Sequence, residues 1–498
     1  MRLLVWVLAA SLSLTAGASA QVAGHPWPVS DLPPRADDVQ IIESPSAVPF
    51  GIEDIDGLIE TAMADGHVPG LSAAIVTADG PVWFGAYGQA SFSPPAPVEV
   101  GTLFMLASVS KVVTGTAFMQ LVEQGVVGLD DDIDTHLPFV VDNPTHPAVP
   151  LTPRTLLSHV SSIDDNWAVM PYYAGDSPYP LGEYLAAYLA VGGDLYSPTL
   201  NYRVSSPGTE WHYSNIGLAT VGYLAEQVSG LPFDAYCADS LFVPLGMDET
   251  SWHLADLDAS HIAMPYRWNG VTYMPYGHYG YSDYPSGQLR TSADQLARFL
   301  QAYLRGGELD GNRILEEGTV ADMLTPHYPG VRWNQGLVWY RDGAGWQHGG
   351  GDRGVSTIVS FGRVEGVGVV VLTNGENASV TSYVRDLLYD YADQATGVDI
   401  DAAEGGQPLV LHAPHPNPVT SSVRLAVDVP APMRVEAGVF TVGGRQVRDL
   451  SFHATTAGRH DSVWDARDDH GRPVSSGVYV CRVQAGNLTR VQRIAVVR

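Results

Sequence analysis

Apolar and polar positions follow two different periods along this chain, and the change of period divides it. From about 46 to 400, helical and strand patterns are interleaved. Leu71-Ser-Ala-Ala-Ile-Val-Thr77 and the run from Val367 to Leu372 read as strands, the first followed by Asp79-Gly80, a hairpin dipeptide. Phe104 to Gln124 reads as one buried helix closed by Gly125 as its C-cap. Ser292-Ala-Asp-Gln295 reads as a capping box that opens an amphipathic helix over Leu296 to Leu304. This predicts an α/β (or α+β) body. Beyond about 405 the runs are short and alternate: Val423 to Val429, Val435 to Val442 and Val478 to Val483, split by Gly, Pro and Asp turns. That is the pattern of a small β-sandwich, with a boundary at 401–410. At the other end, Arg2, the apolar run Leu3 to Leu14 and Ala18-Ser-Ala20 predict a signal peptide over 1–20 and hence an exported protein. A Pro-rich lead-in occupies 21–45. No later run reaches the ~18 apolar residues that a membrane span needs.

Of the 498 residues 45% are apolar, enough for a large buried core, and 54 acidic residues face 26 basic ones, net −28. Such a chain does not hold a phosphate backbone by counterion release, so nucleic-acid partners are excluded. The acidity lies in the body: residues 405–498 carry 11 Arg against 7 Asp and Glu, net +4, which leaves −32 on residues 1–404. It reads as solubility or life in salty surroundings, or as an attraction for cationic substrates. Cys237 and Cys481 fall in different predicted domains and read as separate, buried thiols. Lys111 is the only lysine; the other 25 basic residues are arginine. No Gly-Lys-Ser/Thr phosphate loop exists, and any lysine-base or Schiff-base chemistry must use Lys111.

Ser108 and Lys111 are three apart, which on a helix places both on one face. A serine hydroxyl is a poor nucleophile until a base takes its proton. Lysine is a base only when neutral, a pKa shift from about 10.4 toward 7 that costs roughly 4–5 kcal/mol. Burial on an apolar helix face can supply that shift; arginine cannot follow, because it stays protonated. Near a helix start Ser108 also meets the positive end of the dipole, and its own amide can face a developing oxyanion. Downstream, Tyr213-Ser-Asn215 can present both outer residues to one side. A tyrosinate beside Lys111 would serve as base, and Asn215 would orient Lys111 or a substrate amide. In Trp346-Gln-His-Gly-Gly-Gly-Asp-Arg-Gly354, Gly349 and Gly350 let a substrate backbone approach closely. The Gly351 amide is a second oxyanion donor, and His348 binds substrate or protonates a leaving group. Residues 266–284 hold seven aromatics, Tyr266, Trp268, Tyr273, Tyr276, Tyr279, Tyr281 and Tyr284. They form an aromatic wall for an apolar or sugar-bearing substrate, or a loop packed on its own rings. Gly-x-Ser-x-Gly and His-Glu-x-x-His are absent, and nothing calls for a metal or an organic cofactor.

Ser108-Val-Ser-Lys111, Tyr213-Ser-Asn215 and His348-Gly-Gly350 occur in that order. They are flanked by Pro69-Gly-Leu-Ser-Ala-Ala-Ile-Val76, Leu156-Leu-Ser-His-Val-Ser161, Pro244-Leu-Gly-Met247 and Leu372-Thr-Asn374. Over about 50–395 the chain therefore resembles the serine hydrolases of the β-lactamase and penicillin-binding family, class C type. The resemblance implies an antiparallel sheet flanked by helices, an all-helical lobe, and the site between them. It implies Ser108 as the acylated nucleophile, Lys111 and Tyr213 as the proton-transfer pair, and an oxyanion hole from the amides of Ser108 and Gly351. Asn215, His348, Gly349 and Gly350 would contact substrate. The third motif departs from the frequent Lys-Thr-Gly: a fixed charge and a hydroxyl are missing. His348 would be only partly charged near neutrality, and Arg353 is the candidate substitute. Val160-Ser161-Ser162 stands where Thr-Ser-Gly is usual, and no Glu-x-x-Leu-Asn occurs. These departures favour a small ester or a D-amino-acid-containing peptide as substrate. A true class C-like β-lactamase and a catalytically weak penicillin-binding or sensor protein are the alternatives.

The tail resembles another family, the C-terminal sorting domain of type IX secretion, over about 408–498. The matching residues are His415-Pro-Asn-Pro418, Gly443-Gly-Arg-Gln-Val447, Trp464-Asp-Ala-Arg-Asp468, Gly471 and Ser476-Gly-Val-Tyr479. The resemblance implies an immunoglobulin-like β-sandwich, secretion machinery as partner, and a periplasmic, cell-surface or extracellular address. A plain accessory module of the same fold is the alternative.

Overall fold

The computed structural model describes residues 55–396 and most of 410–496. The expected signal peptide, the lead-in, the junction at 401–409, His415-Pro-Asn-Pro418, Gly443-Gly-Arg445 and Ser476 lie outside the described residues. In the body, seven strands form an antiparallel sheet: β1 Gly70–Thr77, β2 Gly80–Phe92, β3 Pro95–Pro97, β4 Tyr340–Asp342, β5 Gly345–Asp352, β6 Val355–Phe361 and β7 Val367–Thr373. Their order is β4-β5-β6-β7-β1-β2-β3, so strands from the two ends of the body meet at its centre. There Leu71 stands opposite Thr373 and Ala74 opposite Val370. Five helices position the rest: α1 Ile55–Gly66, α2 Ser110–Glu123, α3 Asn215–Ser229, α4 Ala293–Leu304 and α5 Ala378–Thr396.

β1 and β7 carry apolar residues on both faces because both faces are covered. Leu71, Ala73 and Ile75 bury with Val367, Val369 and Val371 against α1 and α5. Ala74 and Val76 bury with Val370 and Leu372 in the other core, which also takes α2, α3 and α4. The period of two along the strand thus sorts one apolar run into two layers.

The run from Phe104 divides into three pieces instead of forming one helix. Phe104–Met105 pairs with Arg290–Thr291, Ala107–Val109 is a 3-10 turn, and α2 starts at Ser110. The break falls at Ala107, whose φ of +48° is left-handed and foreign to a right-handed helix. Gly125 follows the helix end with φ +70°, as expected. The β1–β2 hairpin turns on Ala78-Asp79, one residue earlier than the dipeptide suggests, because Gly80 (φ +142°) already pairs with Thr77. The expected capping box does not form: Ser292 makes no side-chain cap, and the Gln295 amide donates to the Ser292 hydroxyl instead (3.1 Å).

Within 410–496, Val410–Leu411, Val423–Val429 and Gly458–Trp464 form one sheet. Gln446–Asp449, Met433–Thr441, Gly477–Ala485 and Leu488–Val496 form another, with Phe452–Ala454 also paired to Met433–Thr441. Leu425 and Val427 from the first and Val435, Val439 and Val483 from the second share one core with Trp464. Cys237 and Cys481 are both buried and unbonded, as expected. Burial pushes their thiols up, that of Cys481 to about 12. No helix among the described residues is long and apolar enough to cross a membrane.

Candidate active site

Ser108 lies in the 3-10 turn just before α2 and is 8% exposed. The turn is fixed from two sides. Leu106 donates its N–H to the Leu289 carbonyl (2.8 Å), and the Thr357 hydroxyl of β6 donates to the Leu106 carbonyl (2.6 Å). Gly350 of β5 closes against the same turn: a Cβ there would stand 2.3 Å from the Leu106 oxygen, 2.4 Å from Thr357 Oγ1 and 3.2 Å from the Ser108 nitrogen. A side chain has no room, so glycine at 350 is a steric requirement of this contact.

Lys111, one turn on, is fully buried, as are its chain neighbours Val109, Val112 and Val113. Its Nζ donates to Ser108 Oγ (3.1 Å), Asn215 Oδ1 (2.6 Å) and the Ser286 carbonyl (2.6 Å). Three hydrogens meet three acceptors without formal charge, and the Ser108 contact is short enough to carry a proton either way. The ammonium also lies over the Tyr213 ring, 4.7 Å from its centroid. Ser108, Lys111, Tyr213 and Asn215 therefore converge.

Asn215 opens α3. Ser214 caps that helix by accepting from the Gly217 N–H (2.9 Å). Asp165, a residue the sequence reading passed over, organises the helix start. Its oxygens accept from Asn215 N (2.8 Å), Asn215 Nδ2 (2.8 Å), Ile216 N (3.1 Å) and Ser214 Oγ (3.1 Å). A carboxylate only accepts, so the Asn215 NH2 must face Asp165 and its oxygen must face Lys111. The only hint in the sequence was an Asp-Asp pair shortly after the Leu-Leu-Ser-His segment. The Ser286 carbonyl carried no side-chain signal at all.

The glycine-rich third motif is itself strand β5, with His348 opposite Val359 and Gly351 opposite Ser356. β4 pairs only with Gly345 to Gln347, so from His348 to Asp352 no described strand takes the second edge. Gly350 is the glycine of this strand that touches the Ser108 turn. Beside Gly349 the nearest atom to a built Cβ is 3.9 Å away. His348 is 2% exposed, and its Nδ1 donates to the Gly349 carbonyl (2.7 Å), which leaves Nε2 as the acceptor. Burial, then the charge of Lys111, pushes its pKa down to about 3, while the Gly349 bond opposes the shift. The expected partial charge is thus corrected: His348 is neutral at pH 7 and has no proton ready for a leaving group at Nε2.

The Arg353 guanidinium lies over Tyr172 (4.0 Å) and faces Tyr276 (5.9 Å). Its terminal nitrogens are buried and make no hydrogen bond among the described residues. Tyr172 packs with Met105, Ala107, Tyr279, Tyr281 and Val355, the cluster behind the Ser108 turn. The aromatic segment is mainly packed on rings. Tyr266, Tyr279, Tyr281 and Tyr284 are buried, Tyr273 stacks on Phe92, and Trp268 stacks on His67. The self-packed loop, not the open wall, describes it.

A sheet covered by helices on both faces, with a buried Ser–Lys pair against a glycine strand edge, defines a class of serine-hydrolase scaffold. The chain belongs to the β-lactamase family: the family model described as Beta-lactamase matches residues 55–392. Similar curated proteins include Protein flp of Staphylococcus aureus (strain N315), 26% identical over 254 residues, 51% of this chain and 49% of that one. Penicillin-binding protein 4 of Amycolatopsis lactamdurans is 27% identical over 356 residues, 67% of this chain and 87% of that one. Among solved structures, a penicillin binding protein from Bacillus halodurans superposes with a TM-score of 0.53 at 25% identity, covering 68% of this chain and 98% of that one. The chain spans about half the length of the Protein flp relatives it matches.

Proposed function

We propose that this chain is an exported serine hydrolase that cleaves a small ester or amide through an acyl-enzyme on Ser108. The observation that carries the proposal is the 3.1 Å contact between a buried hydroxyl and the chain's only lysine. Lys111 in its neutral form, with its third Nζ position accepting from the Ser108 hydroxyl and with Tyr213 beside it, takes the Ser108 proton as Oγ forms its bond to the substrate carbonyl carbon. The amides of Ser108 and Gly351 receive the oxyanion. Collapse expels the alcohol or amine, which leaves with the transferred proton, and water cleaves the acyl bond by the same steps. Because His348 is neutral, the third motif offers no cation to a substrate carboxylate, which supports a carboxylate-free ester over a β-lactam. In the test, a fluorophosphonate probe labels Ser108, and rates are compared on nitrocefin, p-nitrophenyl acetate and a D-amino-acid amide. The ester is expected to be fastest; normal labelling of Ser108→Ala, or a dominant nitrocefin rate, overturns the proposal. Lys111→Arg should lose about 10²–10⁴-fold in turnover although charge is kept.

A second reading has one observation in its favour: the buried terminal nitrogens of Arg353 suit the carboxylate of a D-peptide. Arg353→Leu should then raise KM for such a peptide roughly 10–150-fold, as for one lost charged hydrogen bond of about 1.5–3 kcal/mol. KM for the ester should not change. Equal KM values on the peptide for both proteins dismiss this reading. The signal-like start and the tail's motifs, with the two sheets sharing a core at Trp464, support export and an immunoglobulin-like sorting module. Mature protein from the medium should begin at Gln21, and deletion of 408–498 should abolish release while intracellular activity persists.

A further inference from the structure

We propose that His159 is a positioning residue that holds Tyr213 against Lys111; the proposal rests on the acyl-enzyme reading of the site. One residue grips the Tyr213 segment at three points. The His159 carbonyl accepts from the N–H of His212 (2.7 Å), and its Nδ1 accepts from the N–H of Ser214 (3.2 Å). Between these two bonds the imidazole lies on the Tyr213 ring, centroids 4.3 Å apart and tilted by 32°. Residues 212, 213 and 214 are thus fixed by the backbone carbonyl, ring face and ring nitrogen of a single residue.

Two further features fit a placed part and not a core filler. His159 has φ +54° and is 1% exposed; a bulky residue keeps a left-handed backbone only where its surroundings over-determine it. Its tautomer is also fixed, because an Nδ1 that accepts an N–H carries no proton, so the hydrogen is on Nε2. The ring must therefore stay neutral to keep hold of Ser214. Burial first, then the charge of Lys111, hold it neutral by pushing its pKa well down. Around it stand Lys111 on α2, His348 on β5, and His212, whose own partner is Asp164 (2.6 Å). Trp211 meets the ring edge-on.

Two variants separate the grips. His159→Phe keeps a ring for Tyr213 and strips the acceptor from Ser214. His159→Asn keeps an acceptor near the Nδ1 position, on a residue that tolerates left-handed backbone, and strips the ring. With p-nitrophenyl acetate, kcat is expected to fall about 100-fold for His159→Phe and about tenfold for His159→Asn. KM should stay within about twofold and fluorophosphonate labelling of Ser108 should slow in parallel, because substrate contacts are untouched while proton transfer is misaligned. Wild-type kcat in either variant overturns the proposal. So does equal loss in both with a collapsed melting temperature, which would mark a merely structural residue. Where His159→Phe fails to fold, His159→Asn decides alone: a kcat loss at unchanged KM and melting temperature supports the proposal, and wild-type kcat overturns it. Ser108→Ala is run alongside. If it still turns over, the acyl-enzyme reading fails; if it is dead while the His159 variants are normal, only the positioning role fails.

Discussion

Asp165→Asn is the sharpest test of how the site is assembled, because it changes one atom and reverses one amide. Four donors converge on the two carboxylate oxygens: Asn215 N and Nδ2 at 2.8 Å, and Ile216 N and Ser214 Oγ at 3.1 Å. Asparagine offers one oxygen and one NH2, so two donors are left facing a donor. Hydrogen bonds to charged groups contribute about 1.5–3 kcal/mol each, so the loss is about 3–6 kcal/mol, shared between the fold and the site. Asn215 can relieve the clash by turning its amide over, and its NH2 then faces Lys111 where its oxygen accepted at 2.6 Å. Losing that one bond to the ammonium, about 1.5–3 kcal/mol, corresponds to roughly 10–150-fold in rate. The assay is kcat/KM on p-nitrophenyl acetate beside a thermal melt. We expect at least a tenfold loss in kcat/KM and a melting temperature lower by several degrees. Full activity in the folded variant, with or without a lower melting temperature, would refute the claim that Asp165 sets the Asn215 amide.

The third motif gives a paired prediction: Gly350→Ala forces a Cβ to 2.3 Å from a backbone oxygen, whereas Gly349→Ala has 3.9 Å of clearance. The first should cost several kcal/mol and most activity, the second only a change in KM; similar effects from both would refute the packing argument. Ser162 occupies a left-handed position, φ +63°, but its buried hydroxyl accepts from Asn143 Nδ2 (2.7 Å) and donates to the Ser161 carbonyl. In Ser162→Gly the relieved backbone is therefore offset by the lost hydrogen bonds, and stability should change by less than about 1 kcal/mol in a denaturant melt; a loss of several kcal/mol would count against it. Stability should also depend on pH through the neutral histidines. The unfolded chain takes up a proton near pH 6.5 that His348 refuses until about pH 3. Stability is therefore complete above about 6.5 and falls with acidification by about 1.4 kcal/mol per pH unit per histidine. His348→Asn should flatten the fall between pH 6.5 and 4; an unchanged slope would show that this histidine is not held neutral.

What was legible in the sequence was what depends on side-chain type at fixed spacing. A lone lysine three residues after a serine, in an apolar run, reported its own burial. The two central strands could be read from apolar runs without a polar face. The misses share another cause: they depend on backbone conformation and on long-range partners. Nothing in Phe104-Met-Leu-Ala-Ser announces that Ala107 turns left-handed and ends one element before another begins. Nothing local marks Asp165 as partner to a helix start 50 residues on. The charge of His348 was misjudged because a histidine's pKa depends on its burial and on Lys111, 237 positions away in the sequence, and not on its neighbours in the chain. The aromatic count between 266 and 284 was real, but whether rings line a cleft or fill a core is set by what they face.

The charge inventory of the site also says how it can choose a substrate. Lys111 spends three hydrogens inside the protein, on Ser108, Asn215 and Ser286. His159 and His348 are buried and neutral, for reasons of desolvation and of that same ammonium. None of these three can grip a substrate anion without giving up a partner it already has, or taking up a proton against its surroundings. What β5 turns outward is backbone, with room beside Gly349. On the proposed acyl-enzyme reading, selection near the scissile carbonyl would then rest on main-chain hydrogen bonds and on shape, which do not require a charged substrate. An anionic substrate gains only if its carboxylate reaches the guanidinium over Tyr172. The distance from carbonyl to anion, and not the presence of an anion as such, is then what separates one substrate from another.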